Sequence, residues 1–242
     1  MKLKILLSLI VLFVMSLIFQ GCGILNNKAI KNVKESRTID HPDVTLGDTI
    51  NYFATDAVWS GKMEVRQDGP SFFLVSVKGT FDLGKIYSDV DASSKSELVI
   101  LFIVEGTQNI PYKMQNKNGK VYDGESTSQF INQMRSIYSD EAFFSRIDVN
   151  TENLVALLAE NYKKIVNVGK KGNVEYERGN YEKMDNYFAE GRKIYRDSKR
   201  ITEKLMSPEL SLSERDKDTV KEAFGKIKYI YDECGMSQNY RD

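Results

Sequence analysis

Ile5 to Phe19 is an unbroken run of 15 uncharged, strongly apolar residues. Such a run is excluded from a water-facing surface, yet it falls short of the ~20 residues that a membrane-crossing helix needs. Lys2 and Lys4 precede it, and small Gly21 and then Cys22 follow it. A positive start, a short apolar core and a small-residue end are the parts of an export signal that is later removed. Residues 1–21 are therefore set aside as a signal peptide, and the folded body has to be built from the rest. Their removal takes away two lysines and no acids, leaving 32 basic and 34 acidic residues. That balance speaks against a nucleic-acid partner, which normally calls for a clear basic excess. No later apolar run is long enough to span a bilayer.

Phe19-Gln20-Gly21-Cys22 resembles the lipobox of bacterial lipoproteins, whose pattern is Leu, a small or apolar residue, Gly or Ala, then Cys. Gly21 and Cys22 match; Phe19 stands in the Leu position and Gln20 is less usual in its own. The resemblance implies cleavage before Cys22, diacylglycerol on its sulfur and a further acyl chain such as palmitate on the new amino group. Membrane lipid, held through acylated Cys22, is then the first partner. The implied location is the cell membrane or outer membrane, facing the periplasm or the cell exterior. Gly23, rather than Asp, follows the cysteine, as in outer-membrane sorting of the enteric type. Cys22 being so used, Cys234 has no partner for an internal disulfide. It shares a helical face with Phe224, Ile227 and Tyr231, so it reads as a small buried apolar residue.

The body divides by pattern. Residues 22–40 are lysine-rich and unpatterned and read as a lipidated tether. Residues 41–148 read as an α+β domain. Thr45 with Asp48 forms a capping signal, and Leu46, Ile50, Phe53, Ala54 and Ala57 recur at helical spacing before Trp59. Met63 and Val65 alternate with charged neighbours, Gln67-Asp68-Gly69-Pro70 marks a turn, and Phe73, Val75, Val77 and Phe81 line one face of a strand. Leu98 to Val104 reads as a buried strand, and Asn118-Gly119 as a hairpin turn. Phe130, Ile131, Met134, Ile137 and Tyr138 predict a helix capped by Ser126 or Thr127. The expectation is an N-terminal helix, an antiparallel sheet and a helix.

Residues 149–242 read as an all-α antiparallel bundle of about three helices. Thr151 caps the first, which Gly169, Gly172 and Asn173 are expected to break. The second runs from about Gly179 to Met206, where Ser207-Pro208 ends it. Ser213 opens the third, with Glu214 and Asp216 in its first turn and Gly235 at its end.

Sites are sparse. His41-Pro42-Asp43 matches the tripeptide of J-domain cochaperones, but the basic, aromatic helix of that family is missing before it. The tripeptide therefore reads as a turn into the Thr45 helix. One histidine and one unlipidated cysteine leave no zinc spacing, and Gly169-Lys170-Lys171-Gly172 lacks the spacing of a phosphate loop. No cofactor, metal or catalytic residue is assigned. Gly179-Asn180-Tyr181-Glu182-Lys183-Met184 through Gly191 resembles the middle of a tetratricopeptide repeat. Asp185 replaces an aliphatic, and no second copy lies at the 34-residue offset such arrays need. A single helix hairpin is the simpler reading; the resemblance would imply a groove for a peptide or protein. Lys193, Arg196, Arg200 and Lys204 form one stripe opposite the apolar face of the second helix. This is either a solvated face or a contact for anionic lipid or cell-wall polymer. Tyr187 and Tyr229, at the edges of their helical faces, are candidate docking residues. The expected role is non-catalytic binding or assembly in the cell envelope. The alternatives are a carboxylate-based envelope hydrolase with a cleft between the two domains, and a structural spacer.

Overall fold

A computed structural model describes residues 25–38, 41–65 and 69–237. The signal segment, the lipobox and Cys22 lie outside the described residues, as do Gln67 and Asp68 of the expected turn. The fold is α+β: a five-stranded antiparallel sheet with helices, then a helical C-terminal region. The chain separates into two compact units between Glu141 and Ala142.

In the first unit, α1 spans residues 25–35. α2 (Leu46–Phe53) is followed by β1 (Ala54–Glu64), β2 (Phe72–Asp82), short α3 (Leu83–Ile86), β3 (Lys95–Glu105), β4 (Gln108–Asn116), β5 (Val121–Tyr122) and α4 (Gly124–Phe144), whose last three residues belong to the second unit. The strands pair in chain order, β1-β2-β3-β4-β5. Alternation decides which face is buried: Val75, Val77 and Phe81 of β2 and Leu98, Ile100, Phe102 and Val104 of β3 are in the core. Register places Val75 opposite Phe102 and Val77 opposite Ile100, so these side chains meet in rows under the helices. α2 adds Ile50 and Phe53, and α4 adds Phe130, Ile131 and Met134.

Thr45 caps α2 as expected: its hydroxyl oxygen accepts from the Asp48 amide at 3.1 Å and its O–H donates to the Asp48 carboxylate at 2.6 Å. Three expectations are corrected. The Thr45 helix stops at Phe53, and Ala54, Ala57 and Trp59 belong to β1, because pairing with β2 begins at once with Ala54 opposite Phe81. The cap of α4 is Asp123, whose carboxylate accepts from the Ser126 amide at 2.8 Å, and not Ser126 or Thr127. The tether expected over residues 22–40 gives way, from residue 25, to α1. This helix buries Ala29 and Val33 in the sheet core, and Lys34 reaches over the Trp59 ring at 5.2 Å. The Asn118-Gly119 turn forms as expected, with Gly119 at φ +81° and the Asn116 side chain accepting from the Asn118 and Lys120 amides.

The second unit consists of α5 (Thr151–Glu177), α6 (Tyr181–Met206), a single 3-10 turn at Pro208–Leu210 and α7 (Glu214–Glu233). Residues 178–180 link α5 to α6, with Gly179 at φ +70°, so the chain reverses and the two helices pack along each other. The cap of α5 is Asn150 rather than Thr151; its side-chain Oδ1 accepts from the Asn153 amide at 2.9 Å. Ser213 caps α7 as expected, accepting from the Asp216 amide at 3.2 Å.

Gly169, Gly172 and Asn173 do not break α5. They lie inside it, and the glycines serve close packing. A Cβ on Gly172 would stand 2.3 Å from the Phe188 ring, and one on Gly169 would stand 2.7 Å from the Cys234 sulfur. Gly191 of α6 receives Met236 in the same way, at 2.2 Å from its sulfur. The segment after α7 thus turns at Gly235, φ +67°, and tucks fully buried Met236 against α6. Cys234 is half-buried, and burial raises its thiol pKa.

Candidate functional site

The stripe on α6 does not survive as a row of free cations. Lys193 is exposed and Arg196 half-exposed, but Arg200 is buried. Its guanidinium lies 5.7 Å from the Phe143 ring centroid and 3.3 Å from the Asp197 carboxylate. Lys204 pairs with Glu209 of the following turn. The physical reason is that α6 is covered on more than one side. Arg200 and Thr202 are buried along with the apolar Ile194, Ile201 and Leu205, so the polar face narrows towards the C-terminal end. A guanidinium tolerates such a site because its flat face stacks on an aromatic ring while its edge meets a carboxylate. Of the two tyrosines, Tyr229 is 62% exposed on α7. Tyr187 is half-buried, with the Lys171 ammonium 5.9 Å from its ring centroid. Neither contact joins them to the α6 cations.

The helical unit carries a groove that the pattern reading passes over. It lies between α5 and α7, has a volume of about 410 Å3, and is walled by Val155, Leu158, Ala159, Leu212, Val220 and Ala223. Leu158 and Val220 are core residues, whereas Val155 is 44% exposed. The signal for it was present: Val155 and Ala159, four apart, form a second apolar line beside Leu154 and Leu158. Such a channel can take an apolar side chain from a partner; its only charged wall residue is Asp216.

In the first unit, a crevice of about 240 Å3 is walled by Ser36, Arg37, Asn109, Pro111, Asn132 and Arg135. Arg135 is only 4% exposed. Its Nη2 donates to the Ser36 carbonyl and hydroxyl oxygens, each at 3.1 Å. This holds a cation at the C-terminal end of α1, where the helix dipole favours one. Burial lowers the Arg135 pKa. The His41-Pro42-Asp43 segment is a turn, as expected, and is fastened to the fold. The His41 amide donates to Thr38 Oγ1 at 3.2 Å, Arg37 donates to the Pro42 carbonyl at 2.7 Å, and Ser139 donates to Asp43 at 2.8 Å.

Tyr52 is strongly perturbed. Its hydroxyl donates to the Glu141 carboxylate, and Lys85 lies 4.6 Å from its ring centroid. Its pKa is pushed up to about 12, first by burial and then by the hydrogen bond and charge of Glu141. The neutral phenol is the favoured form in the fold. Its contribution is therefore complete below the ordinary tyrosine range and is lost as pH rises towards about 12. An ultraviolet titration should show one phenol ionising well after the exposed tyrosines, and Tyr52→Phe should remove that late step. If the late step persists in Tyr52→Phe, the assignment is wrong. Among the described residues, no group of three His, Cys, Asp or Glu side chains is placed to hold a metal ion.

No family model, no curated protein and no solved structure matches this chain.

Proposed function

We propose that the protein is a bacterial lipoprotein held to an envelope membrane through acylated Cys22, and that its body works by non-covalent binding to an envelope protein. The single observation that carries the anchor is the junction at Cys22. It closes a 15-residue apolar run, and only two residues separate it from Leu25 of α1. Two or more acyl chains, each buried CH2 contributing ~0.8 kcal/mol, make a stable attachment where one chain would not. The open apolar groove between α5 and α7 supports the binding role. It lies on the helical unit and is walled by small and branched aliphatic residues rather than by paired acids.

The test begins with the mass of the mature protein from native membranes. The expected mass starts at Cys22 and carries the acyl chains. Cys22→Ser should leave a longer chain that keeps residues 1–21 and carries no acyl chains. A photo-crosslinker at Val155 should then capture one discrete envelope protein, and Ala223→Asp should weaken that capture. A parent chain that is unmodified and uncleaved, with the same start as Cys22→Ser, would refute the anchor. A lipidated protein that captures nothing from Val155 would refute the groove.

A further inference from the structure

We propose that the corner formed by Leu25, Met63 and Val65 is a membrane footing, which enters the lipid interface beside Cys22 and sets the α+β unit directly on the bilayer. This rests on the lipid anchor proposed above. The argument starts from chain length. Three residues take the chain from Cys22 to Leu25, a reach of at most ~11 Å at ~3.3–3.6 Å per residue. Acyl chains on the Cys22 sulfur belong in hydrocarbon, and the polar layer above it is only ~5–8 Å deep in each leaflet. Leu25 is therefore confined to the headgroup layer or its immediate surface.

Leu25 does not hang on a loose strand. It lies within α1, whose Ala29 and Val33 are buried in the sheet core. The position of the anchor is thus passed on through a packed helix to β1. Contact with β1 falls at Gly61: a Cβ there would meet Ile30 at 3.4 Å and the Asn26 carbonyl oxygen at 3.5 Å. A larger residue at 61 would push α1 off the edge strand. Met63 shares the face of Gly61, since side chains alternate along a strand. α1 does not cover it, and Met63 is 49% exposed. Val65, just past the end of β1, is 73% exposed, and Leu25 itself is 48% exposed. Three uncharged apolar side chains are therefore exposed on α1 and at the end of β1, the two elements that meet at Gly61.

The charges nearby suit the same surface. Lys28 of α1 is exposed, and the Lys62 ammonium, 2.5 Å from Glu64, is two-thirds exposed. Exposed lysines beside an apolar corner favour an interface carrying anionic headgroups. The other exposed apolar residues of the sheet do not compete for this place. Register puts Val58 opposite Lys78, Ile110 opposite Ile103 and Val121 opposite Gln115, all on the face away from α1.

The test uses the mature lipidated protein in vesicles of phosphatidylethanolamine and phosphatidylglycerol. Cys234→Ser removes the native thiol. An environment-sensitive fluorophore is attached at Val65→Cys or, as the control on the far face, at Val121→Cys. Nitroxide-bearing lipids should quench position 65 several-fold more than position 121. Leu25→Asp should bring the two close together while the protein stays in the membrane fraction. Leu25 is half exposed, so an acid there buries no charge and the fold is retained; Met63→Asp, checked by circular dichroism, is the second variant. A lipid-bearing mass with equal quenching at both positions overturns the footing alone. A mass without lipid overturns the anchor, and the footing falls with it.

Discussion

Val33→Asp should cost the α+β unit ~4 kcal/mol and unseat α1. Val33 is fully buried against the sheet. The substitution removes an apolar burial worth ~1.5–3 kcal/mol and places an unpaired carboxylate where water cannot reach it, which costs several kcal/mol more. The chain can escape part of this cost only by releasing the helix. Release would expose the inner-face row of Gly61, Val75 and Phe102 beneath it. Hydrogen exchange should therefore show loss of protection across residues 25–35, and urea should unfold the unit at a lower concentration. The pH dependence has a definite sign. Burial raises the pKa of the new carboxyl above its unfolded value, so the deficit is largest at neutral pH and shrinks as the solution is acidified. Val33→Ala, which leaves a small cavity and no charge, should cost less at every pH. Undiminished protection over 25–35 in Val33→Asp would mean that α1 is not held by this contact.

The second large effect is expected at Gly172, where Val should destabilise the helical unit by ~3 kcal/mol. A Cβ at this position meets the Phe188 ring at 2.3 Å, and Phe188 is itself buried at 2% exposure. A planar ring in a filled core cannot swing aside as a lysine would, so α5 and α6 must part. Overpacking of this kind costs ~1–3 kcal/mol, and the two further methyl groups of valine add to it. Helix propensity works the other way, since Gly is worse than other residues by a few tenths to ~1 kcal/mol. Gly225 in α7 isolates that opposing effect. Nothing lies within 4 Å of a Cβ built there. Gly225→Ala should raise stability by ~0.5–1 kcal/mol through propensity and the unfolded chain alone. Thermal unfolding of the two variants should thus move in opposite directions, by ~4–8 °C per kcal/mol for a unit of this size. A Gly172→Val midpoint at or above that of the parent would show that the Phe188 contact is not tight.

These two sites also mark where reading the sequence succeeded and failed. The strand of Phe73, Val75, Val77 and Phe81 was legible because only one sheet face is buried, and one-sided burial writes a period of two into the chain. The Asn118-Gly119 turn was legible because a positive φ needs a residue that tolerates it. α1 was not legible: between Asn26 and Glu35 it has only Ala29, Ile30 and Val33 to bury. So thin a stripe looks like a linker until a sheet is placed under it. Gly169 and Gly172 were misread because glycine that breaks a helix and glycine that admits a ring are the same residue. For Gly172 the deciding side chain, Phe188, is 16 positions away in sequence, and for Gly169 it is Cys234, 65 positions away. Arg200 failed for a similar reason. A helical wheel separates charged from apolar faces, but it does not show that Phe143, from outside the helix, covers part of the charged one. The α5–α7 groove was half visible as the pair Val155 and Ala159, and its opposite wall needed the fold.

The order of the strands has a kinetic consequence. Each strand of the meander finds its partner in the segment just before it, so the sheet can grow in the order in which the polypeptide is delivered, with short loops to close at every step. α1 is the exception. It touches β1 through Ile30, and it meets β4 where Asn109 donates to the Asn32 carbonyl oxygen. Its seat is complete only after four strands have assembled. This early segment thus waits for β4, made some 70 residues later, and until β4 is in place, Leu25 has no rigid connection to the rest of the protein.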